Sequence, residues 1–115
     1  METLRRRADY ARVFETGGVV NSSHFVLRIF NRNDGAQARI GVGMPGKYGN
    51  AVARNRMRRL ILNAARTTTL PLGTDIIIIP RMNAHEFDLT AGGAAVQHEL
   101  GEVLARLARR STNSY

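Results

Sequence analysis

Five arginines at helical spacing, with no acid among them, carry the most specific chemistry in this sequence. Gly49 to Arg66 reads GNAVARNRMRRLILNAAR and holds Arg54, Arg56, Arg58, Arg59 and Arg66, and no acidic residue occurs between Asp34 and Asp75. At about 100° per residue, Ala53, Met57, Leu60, Ile61 and Ala64 share one helix face, which must pack inward. Asn55, Arg56, Arg59 and Arg66 fall opposite, with Arg54 and Arg58 on a flank. A solvated charged face ordinarily interleaves signs, whereas like charges at i,i+4 destabilise their own helix. The pattern therefore calls for a polyanion to offset the repulsion. Asn50 is the predicted N-cap, after a bend at Gly49.

The remaining composition narrows the partner. Formal net charge is +8 over 115 residues. Residues 1–66 hold 12 Arg, one Lys and four acids, a balance of +9, while residues 67–115 hold four Arg and five acids, a balance of −1. Such a charge points to nucleic acid, met by the first two thirds of the chain. Cys is 0, which excludes disulfide staples, thiolate nucleophiles and cysteine zinc sites. No apolar run approaches the roughly 20 residues of a membrane span, and the N-terminus lacks a signal-peptide core. A cytoplasmic protein without a membrane partner is expected. His24, His85 and His98 are scattered, and no Ser/His/Asp or paired-carboxylate arrangement is visible, so neither a catalytic group nor a metal site is predicted.

These residues must be positioned by one domain spanning 1–115, large enough for its own core. Residues 1–7 end in Arg5-Arg6-Arg7 and read as a flexible basic arm, a phosphate tether or simply a disordered terminus. Residues 8–16 form a short predicted helix with Tyr10, Val13 and Phe14 at helical spacing, ended by Gly17-Gly18. Tyr10 and Phe14 belong either to the core or to a stacking wall for unpaired bases. Val19-Val20 and residues 24–30 read as strands, the second with Phe25, Leu27 and Ile29 on one face and Val26, Arg28 and Phe30 on the other. Arg28 among apolar neighbours marks a ligand-facing surface or a cation snorkelling at a sheet edge. Asn33-Asp34-Gly35 is the signal of a hairpin turn into a strand over residues 39–44. There Ile40, Val42 and Met44 point inward, and Gly41 and Gly43 leave a shallow outer floor. Asp75 to Pro80 (DIIIIP) reads as a central strand buried on both faces. Residues 85–90 read as a loop in which Asp88 or Thr90 caps a last helix with Val96, Leu100, Val103, Leu104 and Leu107 in its stripe and a Glu102 to Arg106 pair. Residues 111–115 read as a frayed tail.

Gly41 through Gly46-Lys47 imitates a nucleotide-binding loop. Its last position is Tyr48, so the hydroxyl that would hold magnesium against phosphates is missing, and one small domain has no room for a second mononucleotide half. No nucleotide cofactor is expected.

Gly49-Asn50-Ala51-Val52-Ala53-Arg54-Asn55-Arg56-Met57-Arg58-Arg59-Leu60-Ile61 closely resembles the arginine-rich signature of the bacterial ribonuclease P protein family. The likeness runs through nearly the whole chain: Leu4 with Arg5 to Arg7, Asp9-Tyr10 and Val13-Phe14 before Gly17, Arg39 and Gly41, then Asp75 to Arg81. It implies an α+β sandwich with a four-stranded mixed sheet and three helices in the order αβββαβα. It also implies a left-handed βαβ crossover, like the second domain of ribosomal protein S5 and against the usual right-handed rule. The implied function is that of the protein subunit of ribonuclease P, an endonuclease that removes the 5′ leader of precursor tRNA. Catalysis would reside in the RNA subunit and use Mg2+. Lys47, Asn50, Arg54, Asn55, Arg56, Arg58 and Arg59 would bind the catalytic RNA. Tyr10, Phe14, Val26, Arg28, Arg39 and Gly43 would line the leader cleft. The partners implied are the ribonuclease P RNA and precursor tRNA.

Three positions depart from the family pattern. Ser-Lys-Lys before Gly-Asn is here Pro45, Gly46 and Lys47, a strand position often aromatic is Arg28, and a late arginine of the helix is Leu62, which should lie exposed in the polar arc. The competing reading is a general RNA-binding or ribosomal-type protein without a role in cleavage.

Overall fold

β-Branched runs, one arginine helix and a leucine stripe assemble around a mixed sheet. The computed structural model describes residues 1–112, with side chains as far as residue 109. The elements are β1 (Glu2–Thr3), α1 (Arg7–Thr16), β2 (Gly18–Asn21), β3 (Phe25–Asn31), β4 (Arg39–Val42), α2 (Ala51–Arg66), β5 (Thr74–Pro80), α3 (Asn83–Ala91) and α4 (Gly93–Thr112). The sheet order is β1-β4-β5-β3-β2. β1 and β5 each pair parallel with β4, while β3 pairs antiparallel with β5 and with β2.

β5 is central, as its isoleucine run predicts. Ile76 and Ile78 join Phe25, Leu27 and Ile40 in the main core, where α2 contributes Met57, Ile61, Ala64 and Ala65 and α4 contributes Val96, Leu100, Val103, Leu104 and Leu107. Ile77 points the other way, into a smaller cluster with Leu4 and Val13, against which Tyr10, Phe30 and Ile79 pack. The two long helices thus cover one face and α1 part of the other. Five strands and four helices replace the expected four and three, within the same α+β class.

Four expectations change. First, Glu2–Thr3 forms an edge strand and Leu4 is buried, because its side chain completes the small cluster beneath α1. Of the expected flexible arm, Arg5 to Arg7 lie between β1 and the start of α1 with their side chains in solvent. Second, Asn33-Asp34-Gly35 does turn the chain, with positive φ at Asn33 and Gly35, yet β3 and β4 are not a hairpin. β5 lies between them, and the connection crosses the loop before β5, where Gly73 N donates to Ala36 O at 2.6 Å and Arg32 N to Gly73 O at 2.7 Å. Turn chemistry fixes a local bend and says nothing about which strand is the neighbour. Third, the expected loop at 85–90 is the body of α3. Its inward positions are Ala84 and Asp88, so a buried carboxylate occupies one of the places where an apolar residue would signal a helix. Gly92, at φ 93°, separates α3 from α4, so neither Asp88 nor Thr90 caps α4. Fourth, Ser111 and Thr112 continue α4, and residues 113–115 lie outside the described residues. Glu102 pairs with His98 at 3.1 Å rather than with Arg106.

The connections are fastened by charge. Asp75, fully buried at the start of β5, accepts from Arg39 Nε and Nη2 at 2.7 Å each, from Arg32 Nη1, and from Arg12 at 3.4 Å. Burial pushes its carboxyl upward, but the hydrogen bonds and charges of Arg39 and Arg32 outweigh this and hold it below the usual carboxylate range. A depressed folded-state value means stability that is present above the unfolded value and lost as pH falls through the folded one. Asp75→Asn should therefore cost about 3–5 kcal/mol at neutral pH, the range for breaking one side of a buried ion pair. Urea denaturation should show that gap narrowing below about pH 4, where Asp75 becomes protonated in the unfolded chain while the folded protein still holds it ionised. A constant gap from pH 7 to pH 2 would refute the assignment.

Candidate nucleic-acid interface

α2 forms where the arginine run predicts, and Asn50 caps it by accepting from Ala53 N at 2.9 Å. The arginines then divide by partner. Arg54 turns back and donates to Pro45 O at 2.7 Å and Gly46 O at 3.3 Å, which fixes the loop entering the helix. Arg56 is neutralised by α3: its Nε and Nη2 donate to the two oxygens of Asp88 at 2.7 and 2.9 Å. That hydrogen bond, with Asp88's charge, raises the Arg56 guanidinium above its ordinary value. Asn55, Arg58 and Arg59 are exposed and their side chains make no hydrogen bond or ion pair among the described residues. The face expected to be wholly uncompensated is therefore compensated at one arginine. Lys47 is exposed in the loop before α2. Leu62, expected to be exposed, is half-buried against the main core, because the hydrophobic arc of the helix is wider than the stripe read from sequence.

The six residues expected to line a cleft do share the sheet face beneath α1, but in two compartments. One is closed. Tyr10 Oη donates to Leu4 O at 3.3 Å, and a Cβ added to Gly41 would fall 2.5 Å from that hydroxyl. Tyrosine thus fills the floor at Gly41, while Ile77 and Ile79 approach it at Gly43. Arg39, bound to Asp75 and reaching Asp9 at 3.3 Å, has its charge met by these two aspartates. The other compartment is open. Phe14 is 41% exposed, and the Arg28 guanidinium lies 5.4 Å from its ring centre while Nη2 donates to Phe14 O at 2.6 Å. Arg28 Nε is buried without a partner. Val26, paired in register with Ile79, and Gly43, whose added Cβ would meet Ile79 at 2.9 Å, continue the surface.

His24 and His85 serve packing, while His98 lies exposed beside Glu102. His24 stacks on Phe87 at 3.9 Å, and its Nδ1 lies 2.6 Å from Glu99 Oε1. Ser22 Oγ and His24 N also donate to Glu99, so α4 holds the β2–β3 turn. His85 meets Tyr48 edge-on at 5.5 Å. Burial, followed by the charge of Asp88, pushes the Tyr48 hydroxyl up to about 12. Sequence reasoning took Asp88 for a helix cap and missed its pairing with Arg56. The only signal of its inward position was the i,i+4 spacing from Ala84.

Together, fold and site define a small basic α+β protein that presents an arginine helix and an apolar, arginine-bearing sheet face, the surfaces of an RNA-binding protein. The Ribonuclease P family model matches residues 1–108. The chain belongs to that family. It is 31% identical over 108 residues to the ribonuclease P protein component of Thermotoga petrophila, covering 92% of each chain. It is 33% identical over 114 residues to that of Desulfovibrio desulfuricans, covering 96% of this chain and 86% of the relative. The solved ribonuclease P protein of Thermotoga maritima superposes with a TM-score of 0.82 at 28% identity, covering 92% of this chain and 97% of that one. The chain is thus a protein subunit of ribonuclease P, a tRNA-processing ribonucleoprotein, and the general RNA-binding alternative is not favoured. No helix among the described residues is long and apolar enough to cross a membrane.

The two kinds of arginine separate in a denaturation experiment. Arg56→Ala leaves the buried Asp88 carboxylate unpaired and should lower the urea midpoint clearly. Arg59→Ala touches nothing in the protein and should stay within about 0.5 kcal/mol of wild type. Equal midpoints for the two variants would show that the Arg56 pair does not stabilise the fold.

Proposed function

We propose that the outward face of α2, with Arg58, Arg59, Asn55 and Lys47, binds the ribonuclease P RNA, and that Phe14, Arg28, Val26 and Gly43 receive the single-stranded 5′ leader of precursor tRNA. The observation that carries this is the division of cations. Arg54, Arg56 and Arg39 are held by protein groups, whereas Arg58 and Arg59 stand exposed side by side with no acid beside them. Guanidinium groups bind phosphates and stack on bases, and a half-exposed phenylalanine offers a face to an unpaired nucleotide. Catalysis, in this reading, belongs to the RNA. The exposed groups of both surfaces are guanidinium, ammonium, amide and apolar, with no carboxylate among them to anchor Mg2+, so in this reading the ion serves the RNA. By offsetting repulsion between enzyme RNA and substrate, the protein lowers the magnesium required and favours leader-bearing substrate over product. The setting is the cytoplasm.

Multiple-turnover cleavage of a precursor tRNA by a bacterial ribonuclease P RNA at low magnesium, with and without this protein, tests the reading. Strong stimulation is expected, absent with an unrelated protein of matched charge. No stimulation with a cognate RNA would reduce the chain to a general RNA binder. Within the complex, Phe14→Ala should weaken binding of leader-bearing precursor by about 1 kcal/mol or more, the scale of one stacked base, and leave mature tRNA unaffected. Equal losses for both would make Phe14 ordinary packing.

A further inference from the structure

The groove between the first turn of α2 and α3 has no role in the interface as described. It encloses about 270 Å3, and its two apolar margins are Val52 and Leu89, 76% and 71% exposed. A single exposed leucine is unremarkable on a protein surface. Two large apolar side chains facing one groove, on different helices and beside an arginine surface, are a binding geometry. Arg56 lies between them, its guanidinium held by both oxygens of Asp88 at 2.7 and 2.9 Å, yet its side chain is 48% exposed. Asp88 takes two of the five N–H donors a guanidinium carries and leaves the others unclaimed among the described residues. His85, fixed edge-on against Tyr48, adds an imidazole to the wall. An added Cβ at Gly93 would lie 3.2 Å from Arg56 Nη2, so the start of α4 passes close to the guanidinium.

We propose that an unpaired nucleobase of the RNA partner inserts here, its faces against Val52 and Leu89 and its acceptor-bearing edge toward Arg56 and His85. The occupant follows from charge and size. The groove adjoins the helix surface that bears Asn55 and Arg59, where a polyanion is favoured and a basic or neutral protein segment is not. Its volume falls below that of an ordinary small-molecule pocket and suits one planar ring system. Apolar walls supply contact area without sequence demand, and the rigid donors of Arg56 give the base its orientation. This inference rests on the reading of α2 as the RNA-binding face.

The full-length protein titrated with a bacterial ribonuclease P RNA provides the test. Leu89→Ser and Val52→Ser remove exposed side chains only and should each weaken binding about fivefold, a modest share of a stacking contact. The dependence of affinity on salt should stay unchanged, since no phosphate contact is lost. The chain has no tryptophan, so Leu89→Trp introduces a sole reporter. Its emission should be quenched, and shielded from acrylamide, at saturating RNA. Affinities within about twofold of wild type for both serine variants, with the tryptophan still open to acrylamide in the complex, would overturn the proposal. Arg59→Ala in the same titration separates the two levels. If it weakens binding while the groove variants are silent, α2 binds RNA without an inserted base. If it too is silent, the RNA reading of α2 fails together with the groove.

Discussion

A buried carboxylate among arginines is the constraint on which the rest of this structure depends. Asp75 sits without solvent contact at the entry to the central strand, where an unpaired charge would be costly. Its partners come from three directions: Arg39 from the neighbouring strand, Arg32 from the end of β3, and Arg12 from α1. Arg32 also grips Asp34 at 2.8 Å and donates to Gln37 O at 2.8 Å, so the crossing connection is held by the same cation. Arg12 stands 4.7 Å from the Phe30 ring centre. The isoleucines that follow Asp75 could satisfy their apolar demand in several registers. The ion network admits one, and it places α1 on the opposite face from the long helices.

That network also explains how a strongly basic chain can leave a defined surface charged. Each arginine whose guanidinium meets an aspartate has its charge offset within the fold, and the acids are placed where this happens. Asp75 and Asp9 absorb Arg39, and Asp88 absorbs Arg56. What remains outward on α2 without an acid is the neighbouring pair Arg58 and Arg59, with Arg66 at the far end of the helix. Specificity for a polyanion here comes less from the total of charges than from which ones the fold leaves without a partner.

The sequence made most of the architecture legible because its signals were local. Asn50 capped α2, the DIIIIP run became the doubly covered strand, and the stripe of α4 packed as its period required. Its failures share a cause, since each depended on a residue distant in the chain. α3 escaped notice because Asp88 looks polar until Arg56, on another helix, pairs with it. Asn33-Asp34-Gly35 looked like a hairpin because nothing nearby in sequence reveals that β5 will occupy the intervening place. Arg39 gave no sign of its ion pair because its aspartate lies 36 residues away. The family resemblance supplied the overall class and the arginine helix, and the side-chain partnerships sorted its residues into held and free.

The two-residue strand β1 carries a consequence for how the molecule keeps its own company. An unpaired strand edge is a template for any extended chain that drifts past. Without β1, the outer side of β4 would be such a template, directly beside the apolar seat of Leu4. Glu2 N donates to Ala38 O and Leu4 N to Ile40 O at 2.9 and 2.8 Å, so the first residues occupy those acceptors with the molecule's own backbone. The opening of the chain therefore acts as a selvedge, finishing the sheet on that side so that a protein made to gather RNA does not also gather copies of itself through β4.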